Sequence, residues 1–401
     1  MDNDFNSVLL KKLPEVKKAL LDNLAFFAQY PQTPLLKAGD QYQGIWLEHN
    51  QDNLFLVDYV PESAWASQRI FMQYQREDGL LPCAMTLGYG KVGHPRCHTP
   101  ACYAQVQAVY PFARCALEIA KKCKRPEKDF SDIYEASVKY DRWFEKFRID
   151  SETGLPAMFC EYDTGHDNSP RVTDGGIPHC CPERDAVNMP DLPVMPVLSV
   201  DFSAMLYGHR IALAELAGML GRKDEVKKWL QKAEFLRKAM KRHLYDEADD
   251  FYYDRSPGGF RKYRTEHITR LFLNKVVDQE EFDRIFDRYF MVENREFATP
   301  FPMPSTSADD PSFCYGRKNS WGGNVQCLTL LRALLYLDDY GRTDYKNKML
   351  LKYLQTVYEH PDTTFPQELH PFECKPLGDG INYTPALILF IEAMSTLFQK
   401  C

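Results

Sequence analysis

Ser199-Val-Asp-Phe-Ser-Ala-Met-Leu-Tyr-Gly-His-Arg-Ile-Ala-Leu-Ala-Glu-Leu-Ala-Gly-Met-Leu-Gly221 runs almost directly into Lys223-Asp-Glu-Val-Lys-Lys-Trp-Leu-Gln-Lys-Ala-Glu-Phe-Leu236. In both stretches apolar residues recur every three to four positions, the period of a helix with one buried face. Ser199 and Ser203 offer N-caps and Gly221 a stop. The spacing predicts a helix hairpin over 199–220 and 223–244. The same period recurs over 13–30, 62–74, 99–122, 130–147, 266–275, 278–290, 322–340, 344–359 and 383–398. Period-2 strand patterns are scarce. So many helices exceed a four-helix bundle, and they lack the fixed repeat length of a solenoid. An all-α fold is expected, an (α/α)6 barrel or toroid, in which helix hairpins form two concentric layers and loops gather at one end. No linker-like composition breaks the chain, so a single barrel domain over 1–401 is expected.

Bulk composition narrows the function. Apolar residues make up 44% of the 401 and charged residues 26%, which suits a globular core. The formal net charge of -7 leaves no basic surplus for phosphates, so neither nucleic acid nor an anionic membrane is an expected partner. Met1-Asp-Asn-Asp-Phe5 has neither the basic nor the apolar region of a signal peptide, and no apolar run approaches the ~20 residues that span a bilayer. The twelve cysteines lack disulfide-scaffold spacing, and a reducing, cytoplasmic setting is expected. Cys97-His98 with Cys102, and His179-Cys180-Cys181, are the tight clusters; neither has the paired spacing of structural zinc, so no metal is expected.

The longest loops, 148–198 and 295–321, are where function is expected. The first contains Glu161-Tyr-Asp-Thr-Gly-His-Asp-Asn-Ser-Pro-Arg171, three carboxylates on a turn-rich segment that can reach into a cleft. A later loop, Phe365-Pro-Gln-Glu-Leu-His-Pro371, offers Glu368. Two carboxylates on separate loops are the minimum equipment for glycoside hydrolysis.

Five segments in order resemble glycoside hydrolase family 63 and its trehalase-like relatives. Tyr162–Arg171 resembles the (E/D)SGxDxSPR loop. Gln75-Arg-Glu-Asp-Gly-Leu-Leu-Pro82 is similar to QxxDGxxP, and Tyr245-Asp-Glu-Ala-Asp-Asp-Phe-Tyr-Tyr-Asp254 to WDExxGFYD. Phe301–Pro311 with Ser320-Trp-Gly-Gly323 resembles PSxSxDxP…YWRGPVW, and Gln367–Gly378 resembles ExYxPxTGxxxG. The resemblance implies an (α/α)6 barrel and an inverting α-glycosidase that needs no cofactor. It assigns Asp167 as general acid, protonating the departing oxygen, and Glu368 as general base, with carboxyls about 6.5–9.5 Å apart to admit a water. Asp163 would supply the like charge that keeps Asp167 protonated. Asp78, Gly79, Asp163, His166, Arg171, Asp310, Trp321, Gly322, Gly323 and His370 become candidate substrate contacts.

Blander readings stand beside these. Asp167 could cap the Asn-Ser-Pro turn, Arg171 could sit in a structural ion pair, Asp78, Gly79, Asp309 and Asp310 could only form turns, and Glu373 competes with Glu368. Thr164, His166 and Trp321-Gly-Gly-Asn-Val-Gln326 depart from the family pattern, which bears on the sugar recognised. The expected substrate is a small carbohydrate, a short oligosaccharide or glycoside with an α-glucosidic or related bond. Lacking the β-sandwich frequent in the family, the barrel would stand alone or form a homo-oligomer. A sugar 2-epimerase, which would need paired histidines, and a non-catalytic carbohydrate-binding toroid are the alternatives on the same fold.

Overall fold

The computed structural model describes residues 3–28, 30–40, 42, 44–86, 101–316, 321–378 and 381–398. Cys97, His98 and Ser320, named above, lie outside the described residues. The expected all-α (α/α)6 barrel is what these residues form. Its inner ring comprises the turn Leu47–Asp52 with Asn53–Leu56, then Phe112–Lys122, Val200–Met219, Thr269–Leu273, Cys327–Ala333 and Thr384–Phe398. Neighbours along this ring touch, and the last helix returns to Leu47–Asp52 and closes it. Outside lie Asn3–Asp22, Pro61–Gln73, Glu127–Phe147, Lys223–His243, Gln279–Phe290 and Thr343–Glu359.

The two layers follow from residue pattern. Cys327–Ala333 and Thr269–Leu273 are buried along their whole length, and the arginine each carries is partnered there, Arg332 with the Glu48 carbonyl and Arg270 with Glu266. Outer helices bury one stripe: Trp229, Ala233, Leu236 and Met240 in Lys223–His243, and Phe282, Ile285, Phe286 and Tyr289 in Gln279–Phe290. Phe282 seats against Phe272 of the inner ring, centroids 4.7 Å apart. The hairpin 199–244 forms as its caps predict: the Ser199 hydroxyl accepts from the Phe202 N–H at 3.3 Å, and Gly221 closes the first helix at φ +72°.

Three predicted helices are corrected. The helix expected over 13–30 is Asn3–Asp22, and Leu24–Phe27 then pairs with Tyr30–Leu36 as an antiparallel ribbon. Asn23 marks the change, its side-chain amide donating to the Asn382 carbonyl and the Thr384 hydroxyl at the start of the neighbouring last helix. The helix expected over 99–122 begins only at Phe112, because Pro111 disfavours helical backbone in the residue before it. The one expected over 322–340 shrinks to Cys327–Ala333.

Short strands brace the loop end. Val325–Gln326, Glu368–Leu369 and Pro376–Leu377 form one small sheet, with Gln326 opposite Glu368. Ala157–Met158 pairs with Val197–Leu198, closing the base of the long loop between them. Among the described residues no helix is long and apolar enough to cross a membrane.

Candidate active site

The loop between Met158 and Val197 is anchored by Asp163. Its carboxylate accepts from the Phe159 and Val106 N–H groups at 2.7 and 2.8 Å and pairs with Arg148 at 2.6 Å. Asp163 is fully buried. It neither faces substrate nor presents an uncompensated charge to Asp167, which corrects both expectations for it. A buried charge needs a partner, and Arg148 is that partner.

Beyond this anchor the chain reverses at Gly165, φ +72°. A Cβ there would stand 2.0 Å from the Glu48 Oε2, so the turn is both left-handed and pressed against another side chain. Gly165→Ala is expected to cost about 1–2 kcal/mol from backbone strain alone and to displace Glu48. Denaturant unfolding together with kcat/KM checks it: unchanged stability and activity would contradict the contact. Past Asp167, the Asn168 N–H donates to Glu161 Oε1 at 2.7 Å, and the other Glu161 oxygen bonds His179. The tip carrying Asp167 is thus held from both sides.

Asp167 lines a cavity of about 230 Å³. One wall is Tyr42, Trp46, Glu48 and His49. The loop contributes Tyr162, Gly165 and Asn168, and Gln107, Trp321, Gln367 and Tyr383 complete the lining. Glu368, next to Gln367, is buried and receives the Asn324 side-chain amide. The Tyr42 hydroxyl donates to Gln367 Oε1 at 2.6 Å. Burial, and then the negative charges of Asp167, Glu48 and Glu368, raise the Tyr42 phenol well above its ordinary value. Three carboxylates from separate parts of the chain therefore act on one hydroxyl. The competitor Glu373 is exposed and pairs with Lys375.

Other candidates lie behind or beside the cavity. Arg171 is 1% exposed. Its guanidinium holds Asp201 at 2.9 Å and Asp254 at 2.7 Å, so it serves the core and not the substrate. His166 is also buried; it bonds Glu266 at 2.6 Å and lies under the Trp321 ring, centroids 4.9 Å apart. Arg171 only donates, so His166 Nδ1 accepts from it at 2.8 Å, leaving Nε2–H for Glu266. Burial holds the imidazole below its ordinary value against the pull of Glu266. Trp321 therefore rests on a fixed, buried base. Gly323 permits close approach: a Cβ would meet the Cys314 carbonyl at 2.8 Å.

Asp78 bonds Arg76 and the Leu80 N–H, and a Cβ on Gly79 would meet the Lys139 carbonyl at 2.3 Å. Asp310 accepts from the Arg264 and Ser312 N–H groups. His370 accepts from the Phe372 and Glu373 N–H groups and lies 3.3 Å from the Glu373 carboxylate. None of these four lines the cavity; they build turns. His179 stacks on Tyr162, centroids 5.4 Å apart, rather than gathering with Cys180 and Cys181. Cys160, Asp163 and Cys181 do bring donor atoms within 4.8 Å of one another. Arg148 already occupies Asp163 and reaches the Cys181 sulfur at 3.5 Å, a guanidinium where a cation would stand.

Sequence reasoning missed the wall of Tyr42, Trp46, Glu48 and His49, together with Gln107, Tyr162, Asn168, Gln367 and Tyr383. The signal was Trp46-Leu-Glu-His49, a carboxylate and an imidazole beside an indole, in a stretch too short to show a helical period.

A two-layered helical barrel with carboxylates and aromatic rings around one small cavity has the parts that glycoside hydrolysis needs. The family model described as the mannosylglycerate hydrolase MGH1-like glycoside hydrolase domain matches residues 56–384, and the chain belongs to that family. Its fold is similar to that of the GH63 mannosylglycerate hydrolase from Thermus thermophilus, at 19% identity over 96% of this chain and 100% of that one, TM-score 0.72. Neutral trehalase from Saccharomyces cerevisiae matches at 13% identity over 92% and 76%, TM-score 0.64. A rhamnosidase from Klebsiella oxytoca matches at 13% over 96% and 64%, TM-score 0.59. These likenesses show a shared fold, and the family match makes the chain a glycoside hydrolase of the MGH1-like type.

Proposed function

We propose that this enzyme hydrolyses an α-glycosidic bond, α-glucosidic or closely related, with inversion at the anomeric carbon. Asp167 acts as general acid and Glu368 as general base. The observation that carries the reading is geometric: Asp167 lines the cavity, and Glu368, next to the lining residue Gln367, is held beside it by Asn324. In this mechanism Asp167 gives its proton to the departing glycosidic oxygen. Glu368 takes a proton from a water, which attacks the anomeric carbon from the opposite face. Asn324 orients Glu368, and the Trp46, Tyr162 and Trp321 rings offer apolar faces to the sugar. Two carboxylates and a water suffice, so no cofactor enters. A cavity of about 230 Å³ suits one sugar ring, which favours a short substrate.

The test is proton NMR of the enzyme with trehalose, kojibiose, nigerose, maltose, isomaltose, and glucosyl and mannosyl glycerate. The β-anomer of the free sugar is expected first from one of them. The α-anomer first would overturn the acid–base pairing, and no turnover on any member would remove the substrate class.

A further inference from the structure

Beside Asp167 the cavity is lined by another carboxylate, Glu48, that the proposed mechanism does not use. Glu48 belongs to the inner-ring turn Leu47–Asp52, ahead of the stretch 56–384 that the family match covers. Its Oε2 is buried and has no hydrogen-bond donor, and Gly165 of the acid loop packs directly against it. The side chain remains 13% exposed, and His49 Nε2 stands 3.6 Å from Oε1. That imidazole is itself engaged, with Nδ1 2.9 Å from the Asp52 carboxylate and Nε2 3.3 Å from the Tyr383 hydroxyl. The Arg332 guanidinium, a strong donor nearby, reaches only the Glu48 backbone carbonyl, at 2.9 Å. Glu48 is thus an acceptor on the cavity wall, packed against Gly165. Such an acceptor is satisfied by donors in the cavity, water in the free protein and ligand hydroxyls when a sugar displaces it.

We propose that Glu48 is a specificity-determining residue of this cavity, its carboxylate accepting hydrogen bonds from hydroxyl groups of the sugar ring held against Asp167. The inference rests on reading the cavity as the sugar site. The class of ligand is a neutral, hydroxyl-rich pyranose, since a carboxylate accepts from hydroxyls and repels an anionic group at this wall. A site built around such an acceptor rejects analogues lacking the matching hydroxyl far more strongly than an apolar pocket rejects a lost methylene.

The test is calorimetric binding of D-glucose, D-mannose and their 2-, 3-, 4- and 6-deoxy analogues to wild type, Glu48→Gln and Glu48→Ala. Wild type is expected to bind a parent hexose about 10–100-fold more tightly than the analogue lacking one particular hydroxyl, or either of two adjacent ones. Glu48→Ala is expected to bind the parent as weakly as wild type binds that analogue, and to lose the discrimination at that hydroxyl alone. Glu48→Gln, nearly isosteric, is expected to fall between and keeps the test decisive if the alanine variant misfolds. Unchanged affinity and an unchanged deoxy profile in the variants would overturn the proposal, as would a wild type that binds neither hexose. Equilibrium binding needs no proton transfer. A failure of the Asp167 and Glu368 assignment would appear in the NMR experiment and leave this result standing.

Discussion

Asp167→Asn is expected to lower kcat on the natural glycoside by about 10²–10⁴-fold. Asparagine fills the same space at the tip of a loop held by Asp163 and Glu161, so the fold and the affinity for a free hexose should change little. The loss is one of chemistry: an amide has no proton to give to the departing oxygen. A glycosyl fluoride leaves without that proton, and on it the variant is expected to retain most of the wild-type rate. Glu368→Gln is expected to lose turnover on both substrates, because water activation is needed whatever departs. The measurement is kcat for each variant on each substrate. Equal losses on the glycoside and the fluoride for Asp167→Asn would remove it as the acid, and an active Glu368→Gln would remove the base.

Arg171→Met is expected to cost about 3–5 kcal/mol of stability. The guanidinium is buried and is shared by Asp201 and Asp254. Its removal leaves two carboxylates facing each other out of water. Burial by itself would push the Asp201 carboxyl up; the charge of Arg171 and its hydrogen bonds hold it well below the usual carboxylate range. Glu266 is held low in the same way, burial opposed by Arg270 and His166. Both folded-state values are depressed, so their contribution is complete above the unfolded-state values near about 4. It is lost as pH falls through the folded values. The deficit of Arg171→Met in denaturant unfolding is therefore expected to be full near neutrality and to narrow below about pH 4. A deficit under about 1 kcal/mol at neutral pH, or one that widens on acidification, would contradict the network.

Much of the architecture is legible in the chain. The hairpin 199–244 shows its cap, its stop and its buried face within a few turns of backbone, and each sits where the spacing puts it. The outer helices from Pro61–Gln73 onward are equally plain because one polar face alternates with one apolar face, whereas Asn3–Asp22 is expected to start ten residues further along. The inner ring is harder to read. Thr269–Leu273 and Cys327–Ala333 are short and buried on every side, arginines included, so they carry little period, and Leu47–Leu56 carries none that a helix requires. That last element bears Glu48 and His49, which is why a whole wall of the cavity went unread.

The motif loop 161–171 illustrates the division. Its composition marks it as a place where carboxylates meet a turn, and the resemblance ranks Asp167 above its neighbours. Nothing local distinguishes Asp163, Asp167 and Arg171 by the direction in which they face. Arg148 draws Asp163 inward, Asp201 and Asp254 draw Arg171 inward, and Asp167 is left on the cavity side. Caps, stops and amphipathic period are short-range and are written in consecutive residues. Which charge is neutralised in the core and which is left to the cavity depends on partners brought together from tens of residues away, and only the closed barrel supplies them.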